Sequence, residues 1–224
     1  MLKRLIKSLF YRKKPEALIP KIQLSEILPS EIHVDLLETE VKDGNVTFAE
    51  LVILAQLVQL SKPKRIFEIG TFDGRTSLNF AHSAPPDSCI FTLDLGPKEI
   101  EQLKNVAHGD HKYIGKATTG ERFLGTPEAK KIIQLWGDSQ RFDFSPYYSS
   151  IDFILIDASH QYALVLKDSE NALKISKPGA TIIWQDYNTS WPGVTKALNE
   201  LYQKDPHFKN LRQIPGTSLV ILRI

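Results

Sequence analysis

At 224 residues, with 42% hydrophobic and 24% charged residues, the chain is long enough for one α/β domain with a full core and cramped for two. Its single cysteine, Cys89, excludes an internal disulfide and a cysteine-based metal cage. The net charge of +2 conceals an asymmetry: residues 1–14 hold six of the 28 basic residues and no acid, which leaves 22 bases against 26 acids, a net of −4, in the rest. A body of that sign is a poor nucleic-acid binder on electrostatic grounds.

In the basic arm, Leu2, Leu5, Ile6, Leu9 and Phe10 share one helical face, and Lys3, Arg4 and Lys7 fall on the other. Packing on the body or on a partner subunit, a frayed tail, and peripheral contact with an anionic membrane surface all remain open, and so does a homo-oligomer. The apolar run is too short and interrupted to span a bilayer or serve as a secretion signal, so the expected location is the cytoplasm, with or without surface association. Residues 15–44, carrying Pro15, Pro20 and Pro29, read as a wrapping segment with short helical pieces. Residues 1–44 thus stand apart from a domain over 45–224.

"TFAELVILAQLVQLSK" opens that domain as a buried helix, with Thr47 and Glu50 as a capping box and Pro63 as its stop. "RIFEIG" reads as the first strand, 74–83 as a helix, "CIFTLDL" as the second strand, and "PKEIEQLKNVA" as a helix with Pro97 at its start. Residues 108–128, polar and glycine-punctuated, form a long irregular insertion of the kind used as active-site lids. "KIIQLWGD", "IDFILID" and "TIIWQDY" are further strands, with helices over 160–176 and "PGVTKALNELYQK". "HFKNLRQI" and "TSLVILRI" can form a terminal hairpin. The alternation predicts a Rossmann-like, doubly wound α/β fold: a mostly parallel sheet with an antiparallel C-terminal strand and helices on both faces.

In such sheets the ligand sits beyond the carboxyl ends of the strands. Those ends carry Glu68 and Gly70, Asp94, Asp138 and Ser139, Asp157 and His160, and Gln185, Asp186 and Tyr187. Gly70 and Gly74 form a Gly-x-x-x-Gly turn, not the Gly-x-Gly-x-x-Gly of dinucleotide enzymes. Asp94 follows at about the interval, roughly 20 residues, at which an acid reaches a ribose. An edge this acidic repels polyphosphate and suits a cofactor with cationic groups and free hydroxyls.

"FEIGTFDGRTS" resembles motif I of class I S-adenosylmethionine-dependent methyltransferases, and "TLDL" their second-strand acid. "FLGTPEAKKIIQLWGDSQRFDFSPYYSSIDFILIDASHQY" and "SKPGATIIWQDY" resemble the methyltransferase-24-like group. The resemblance spans roughly 45–224. It implies that Glu68, Gly70 and the turn of Thr71, Phe72, Asp73, Gly74, Thr76 and Ser77 cradle the methionine part of S-adenosylmethionine. It further implies that Asp94, with Leu95, takes the ribose, that Asp138 and Ser139 lie near the adenine, and that Asp157 borders the cofactor. A sulfonium without phosphates matches the acidic edge.

On the acceptor side, His160 is the candidate general base, with Asp157 as its catalytic neighbour. Asp157 and Asp186 end neighbouring strands and could hold a divalent ion such as Mg2+. These two strand ends look similar to those of metal-dependent O-methyltransferases, from which Gln185 departs, since a second acid or an Asp-Asn pair is expected there. The alternative is that Asp157 contacts the cofactor and Asp186 orients His160. Trp191 is the better pocket candidate among the aromatics after the fifth strand, whereas Trp184 suits packing. His82, His108 and His111 show no ligand spacing. The expected activity is methyl transfer, to oxygen of a small molecule or sugar. A catalytically silent S-adenosylmethionine-binding protein, and another nucleoside-cofactor transferase such as an aminopropyltransferase, are the alternatives.

Overall fold

The computed structural model describes residues 15–28, 31–103, 106, 109–114 and 119–224. The amphipathic arm, His108 and parts of the 108–128 insertion lie outside the described residues. After a short turn of helix α1 (Leu24–Ile27) come α2 (Phe48–Ser61), β1 (Arg65–Ile69), α3 (Arg75–Ser83), β2 (Cys89–Asp94), α4 (Pro97–Gln102), β3 (Ile132–Trp136), β4 (Ile151–Ile156), α5 (Tyr162–Ile175), β5 (Ser176–Trp184), α6 (Pro192–Lys204), β6 (Arg212–Gln213) and β7 (Val220–Arg223). The sheet runs β3-β2-β1-β4-β5-β7-β6. Strands β1 to β5 pair in parallel, and β7 is antiparallel to β5 and β6. The predicted doubly wound fold with an antiparallel finish is thus the observed one, and strand order reverses between β1 and β4.

Strand alternation sorts the core into two layers. Phe67, Ile69, Ile154 and Ile156 join the layer with α5 and α6, where Val165, Ala172 and Leu198 are buried. Ile66, Phe153 and Leu155 join the layer with α2 and α3, containing Leu54, Val58 and Phe80. Both layers cover strands read as continuous apolar runs, as expected of a parallel sheet buried on both faces.

The capping box at the start of α2 is present: the Thr47 side chain accepts from the Glu50 N–H, and a Glu50 oxygen accepts from the Thr47 N–H at 2.9 Å. The same carboxylate's other oxygen accepts from the N–H and hydroxyl of Ser218 at 2.8 and 2.7 Å, tying the C-terminal hairpin to α2. Other boundaries shift. The helix expected over 160–176 is Tyr162–Ile175, and β5 takes in the following "SKPGA", reaching back to Ser176 with an irregular register opposite Ile151–Phe153. Of "HFKNLRQI", only Arg212–Gln213 pairs as strand, because a 3-10 turn at Pro206–Phe208 uses up its start.

The described residues between 15 and 46 are tied to the body at both ends. Tyr187 holds one end: its hydroxyl accepts from the N–H groups of Leu18 and Ile19 at 2.8 and 3.0 Å and donates to Asn199 at 2.6 Å. Two buried arginines hold the other end. Arg75 Nη1 lies 3.3 Å from the carbonyls of Thr39 and Glu40, and its Nη2 donates to that of Val46. Arg122 donates to the carbonyls of Glu38 and Glu40 at 3.0 Å and pairs with Asp73 at 2.8 Å.

Candidate active site

Beyond the carboxyl ends of the parallel strands, at the β1/β4 reversal, lies a cavity of about 360 Å³. Each strand contributes to its wall. Gly70 and Phe72 follow β1, Asp94 and Leu95 follow β2, and Gly137, Asp138 and Ser139 follow β3. Asp157 and His160 follow β4, and Gln185 and Asp186 follow β5. The wrapping segment adds Asp43, Gly44, Asn45 and Thr47, and the insertion adds Asp110, Tyr113 and Ile114. The insertion was expected at the site as a whole, but its individual residues and those of the wrapping segment were not singled out, because nothing local marks a given side chain as facing a site formed by strands far along the chain.

The glycine turn divides the predicted cofactor residues in two. Gly70, Phe72, Asp94, Leu95, Asp138, Ser139 and Asp157 line the cavity, while Glu68, Thr71, Asp73, Gly74, Thr76 and Ser77 do not. Alternation explains Glu68: it points with Ile66 toward α3, buried, where it accepts from the hydroxyls of Ser77 and Thr92. Burial, eased by those two hydroxyls, raises its carboxyl to about 8. Asp73 turns away from the cavity because Arg122 and the Asn45 amide, at 2.8 Å each, claim its two oxygens.

Gly70 itself is required by the protein. At φ +104° a Cβ there would lie 2.0 Å from the Asp157 carbonyl oxygen, so only glycine lets β1 and β4 end side by side. Gly74, at φ +85°, likewise packs under the Phe123 ring. Close packing within the turn thus demands glycine at both positions, and Gly70 lines the cavity as well.

Asp94 is held rigidly. Oδ2 accepts from the N–H groups of Thr71 and Phe72 at 3.1 and 2.8 Å, and Oδ1 from that of Leu95 at 2.7 Å. Burial raises its pKa, and these three donors oppose the rise. Asp138 orders the turn after β3, its Oδ1 accepting from the Gln140 N–H at 2.9 Å. No lysine or arginine lies among the described residues of the wall. The site offers buried carboxylates and backbone to a cofactor and no counter-charge for phosphate, which fits a sulfonium nucleoside.

On the other side, His160 is flanked by two carboxylates. Nδ1 lies 2.5 Å from Asp110 Oδ1, and Nε2 lies 2.7 Å from Asp186 Oδ2. Asp110 Oδ2 also accepts from the Ser159 hydroxyl at 3.1 Å and the His160 N–H at 3.3 Å. The Trp191 indole stacks on the imidazole, centroids 3.6 Å apart at 14°. Burial alone would lower the imidazole pKa, but the hydrogen bonds and charges of Asp110 and Asp186 outweigh it and raise the value to about 9. Asp157 is driven well above the ordinary carboxylate range, by burial first and then by the charge of Asp186. Asp186 adopts φ +67°, a conformation uncommon for a non-glycine residue and often found at functional positions. The structure therefore brings together His160, Asp157, Asp186 and Trp191 as the sequence suggested, and adds Asp110 from the insertion. Trp184 packs in the core, its indole N–H on Ser169 at 2.9 Å, and Tyr187 anchors the wrapping segment.

A family model described as a methyltransferase domain matches residues 67–187, and the chain belongs to that family: it is an S-adenosylmethionine-dependent methyltransferase. It is 29% identical over 192 residues, 80% of its own length and 73% of the other's, to an Arabidopsis thaliana protein whose name places it with the caffeoyl-CoA O-methyltransferases. Among solved structures it resembles the O-methyltransferase TomG of tomaymycin synthesis from Streptomyces achromogenes, in complex with S-adenosylmethionine, with TM-score 0.59, 19% identity and coverage of 82% and 83% of the two chains. It also resembles an O-methyltransferase from Bacillus cereus bound to S-adenosylhomocysteine, with TM-score 0.57, 17% identity and 84% coverage of each chain. At these identities the structural likeness speaks for the fold. Among the described residues no helix is long and apolar enough to cross a membrane.

Proposed function

We propose that the protein methylates a hydroxyl oxygen of a small molecule, a sugar included, with His160 as the proton acceptor. The observation that carries this reading is His160 at the cavity wall, fixed at Nδ1 by Asp110 and covered by Trp191. When bound, S-adenosylmethionine supplies an electrophilic methyl on a sulfonium. The wall residues that would hold it are Gly70, Phe72, Asp94, Leu95, Asp138 and Ser139. The chain's own work is to align the acceptor and take its proton; alignment alone can contribute roughly 7–11 kcal/mol. An acceptor hydroxyl would take the place of Asp186 at His160 Nε2, while Asp110 keeps the Nδ1 proton and orients the ring.

The ring must then be neutral before the acceptor arrives. With its pKa at about 9, kcat/KM should climb with pH toward that value. A divalent ion at Asp157 and Asp186 is a second reading, favoured by the repulsion between those carboxylates, which a cation would relieve. The arrangement does not fit it well: Asp186 already faces His160, and among the described residues no set of three His, Cys, Asp or Glu could hold a metal. His160 as a cation is the counter-charge in our reading.

The test is methyl transfer from S-adenosylmethionine to a panel of hydroxylated acceptors, with and without chelator, for wild type and His160→Ala. Turnover that survives the chelator, falls in the variant and rises with pH supports the reading, provided the variant's cofactor affinity is unchanged. Wild-type turnover by the variant rejects His160 as the base. Cofactor binding with no turnover on any acceptor favours a catalytically silent binder.

A further inference from the structure

We propose that the acceptor is a hydroxylated molecule whose body is uncharged or cationic, and that acceptors bearing carboxylate or phosphate, coenzyme A thioesters among them, are excluded. This rests on the methyl-transfer reading and concerns the acceptor half of the same cavity.

That half is walled by Asp43, Asp110, Asp186, Tyr113, Trp191 and His160. His160 is the sole cationic group among the described wall residues, and both its ring nitrogens already face carboxylates. Among the described residues, four other bases near the wrapping segment and the insertion already have partners, one of them the wall residue Asp43. Lys112 pairs with Asp43 at 2.5 Å, and Lys42 with Glu121 at 3.0 Å. Arg75 and Arg122 are buried against the carbonyls of the wrapping segment.

Helix N-termini are the usual substitute for basic side chains, and here the backbone donors just ahead of two helices already have acceptors from the protein. At the approach to α5, the His160 N–H donates to Asp110 and the Gln161 N–H to the Ser159 hydroxyl at 3.2 Å. At α6, the Trp191 N–H donates to Asn188 at 3.3 Å, and Pro192 has no N–H.

From the wrapping segment, Asp43 adds a further carboxylate to the wall. An entering anion would meet that carboxylate and an imidazole that already faces two others. A hydroxylated amine or a neutral polyol meets the carboxylates of Asp43, Asp110 and Asp186 beside two aromatic side chains, a wall that favours cations and neutral donors over anions. The caffeoyl-CoA thioester in the Arabidopsis relative's name carries phosphates for which this wall has no matching charge.

The experiment titrates the full chain, saturated with S-adenosylhomocysteine, with a series that shares one dihydroxyphenyl ring and differs chiefly in the charge of its side group: 3,4-dihydroxybenzylamine, 3,4-dihydroxybenzyl alcohol and 3,4-dihydroxybenzoate. The amine and the alcohol are expected to bind at least tenfold more tightly than the benzoate. Benzoate affinity equal to or above the others, or no binding by any of the three, overturns the proposal. Methyl transfer to the benzoate or to caffeoyl-CoA would also overturn it while leaving the methyl-transfer reading intact. Failure of the chain to bind S-adenosylhomocysteine at the outset would count against that reading itself.

Discussion

Asp94 reaches the cavity with both carboxylate oxygens already accepting backbone N–H groups. A carboxylate has about four lone-pair sites, so it can accept from ribose hydroxyls without giving up the turn. Asp94→Ala is expected to weaken S-adenosylmethionine binding by about 1.5–3 kcal/mol, the worth of charged hydrogen bonds. Calorimetric titration measures it, and unchanged affinity would remove Asp94 from the cofactor site. The position of Asp94 was legible because a strand-end acid at a set interval after a glycine turn is a local pattern. Glu68 shows the limit of the same logic. Its place in motif I suggested the cofactor, but one residue earlier than Ile69 on a strand means the opposite face, and burial under α3 follows. Asp110 was invisible for another reason: it reaches His160 across 50 residues of sequence, from an insertion with no periodicity to read.

Among the elements, the order of strands and helices was readable from apolar runs and their stops, whereas the attachment of residues 15–46 was not. The separation at residue 44 followed from composition, yet Arg122 and Arg75 grip this segment through main-chain carbonyls, which carry no sequence signature. The grip also shapes the site, since Asn45 binds Asp73 and lines the cavity. Arg122→Met leaves Asp73 without its ion-pair partner and frees the carbonyls of Glu38 and Glu40. Breaking a buried pair from one side costs roughly 3–5 kcal/mol. Denaturant unfolding should show a loss of that order, with a raised KM for the cofactor or acceptor. The double variant Arg122→Met with Asp73→Asn should lose less than the two single losses added together, because they share one interaction. Strict additivity would mean that the pair does not hold the segment.

For the whole molecule, Glu68, Asp168 and His160 are among the buried groups that hold protons more tightly than the unfolded chain does. Burial raises Glu68 from 4.5 to about 8 and Asp168 from 3.8 to about 7, the latter opposed by the Ser139 hydroxyl. His160 is raised from 6.5 to about 9 by its two carboxylates against the pull of burial. A carboxyl raised in the fold binds more protons native than unfolded, so stability falls as pH rises from its unfolded value to its folded value. The imidazolium acts in the same sense: its stabilisation is full below 6.5 and is lost as pH rises through about 9. Each of the three contributions falls as pH rises, and together they span about pH 4 to about pH 9. Asp168 isolates one component, since it lies in α5 behind Ser139 with one carboxyl oxygen lacking a hydrogen-bond partner among the described residues. Asp168→Asn keeps the shape and removes the ionisation. The variant's gain over wild type should be smallest near pH 4, grow up to about pH 7, and stay level above it, as read from urea midpoints across that range. A pH-independent difference would mean that Asp168 carries no raised pKa, and the buried carboxyl would then be a packing element alone.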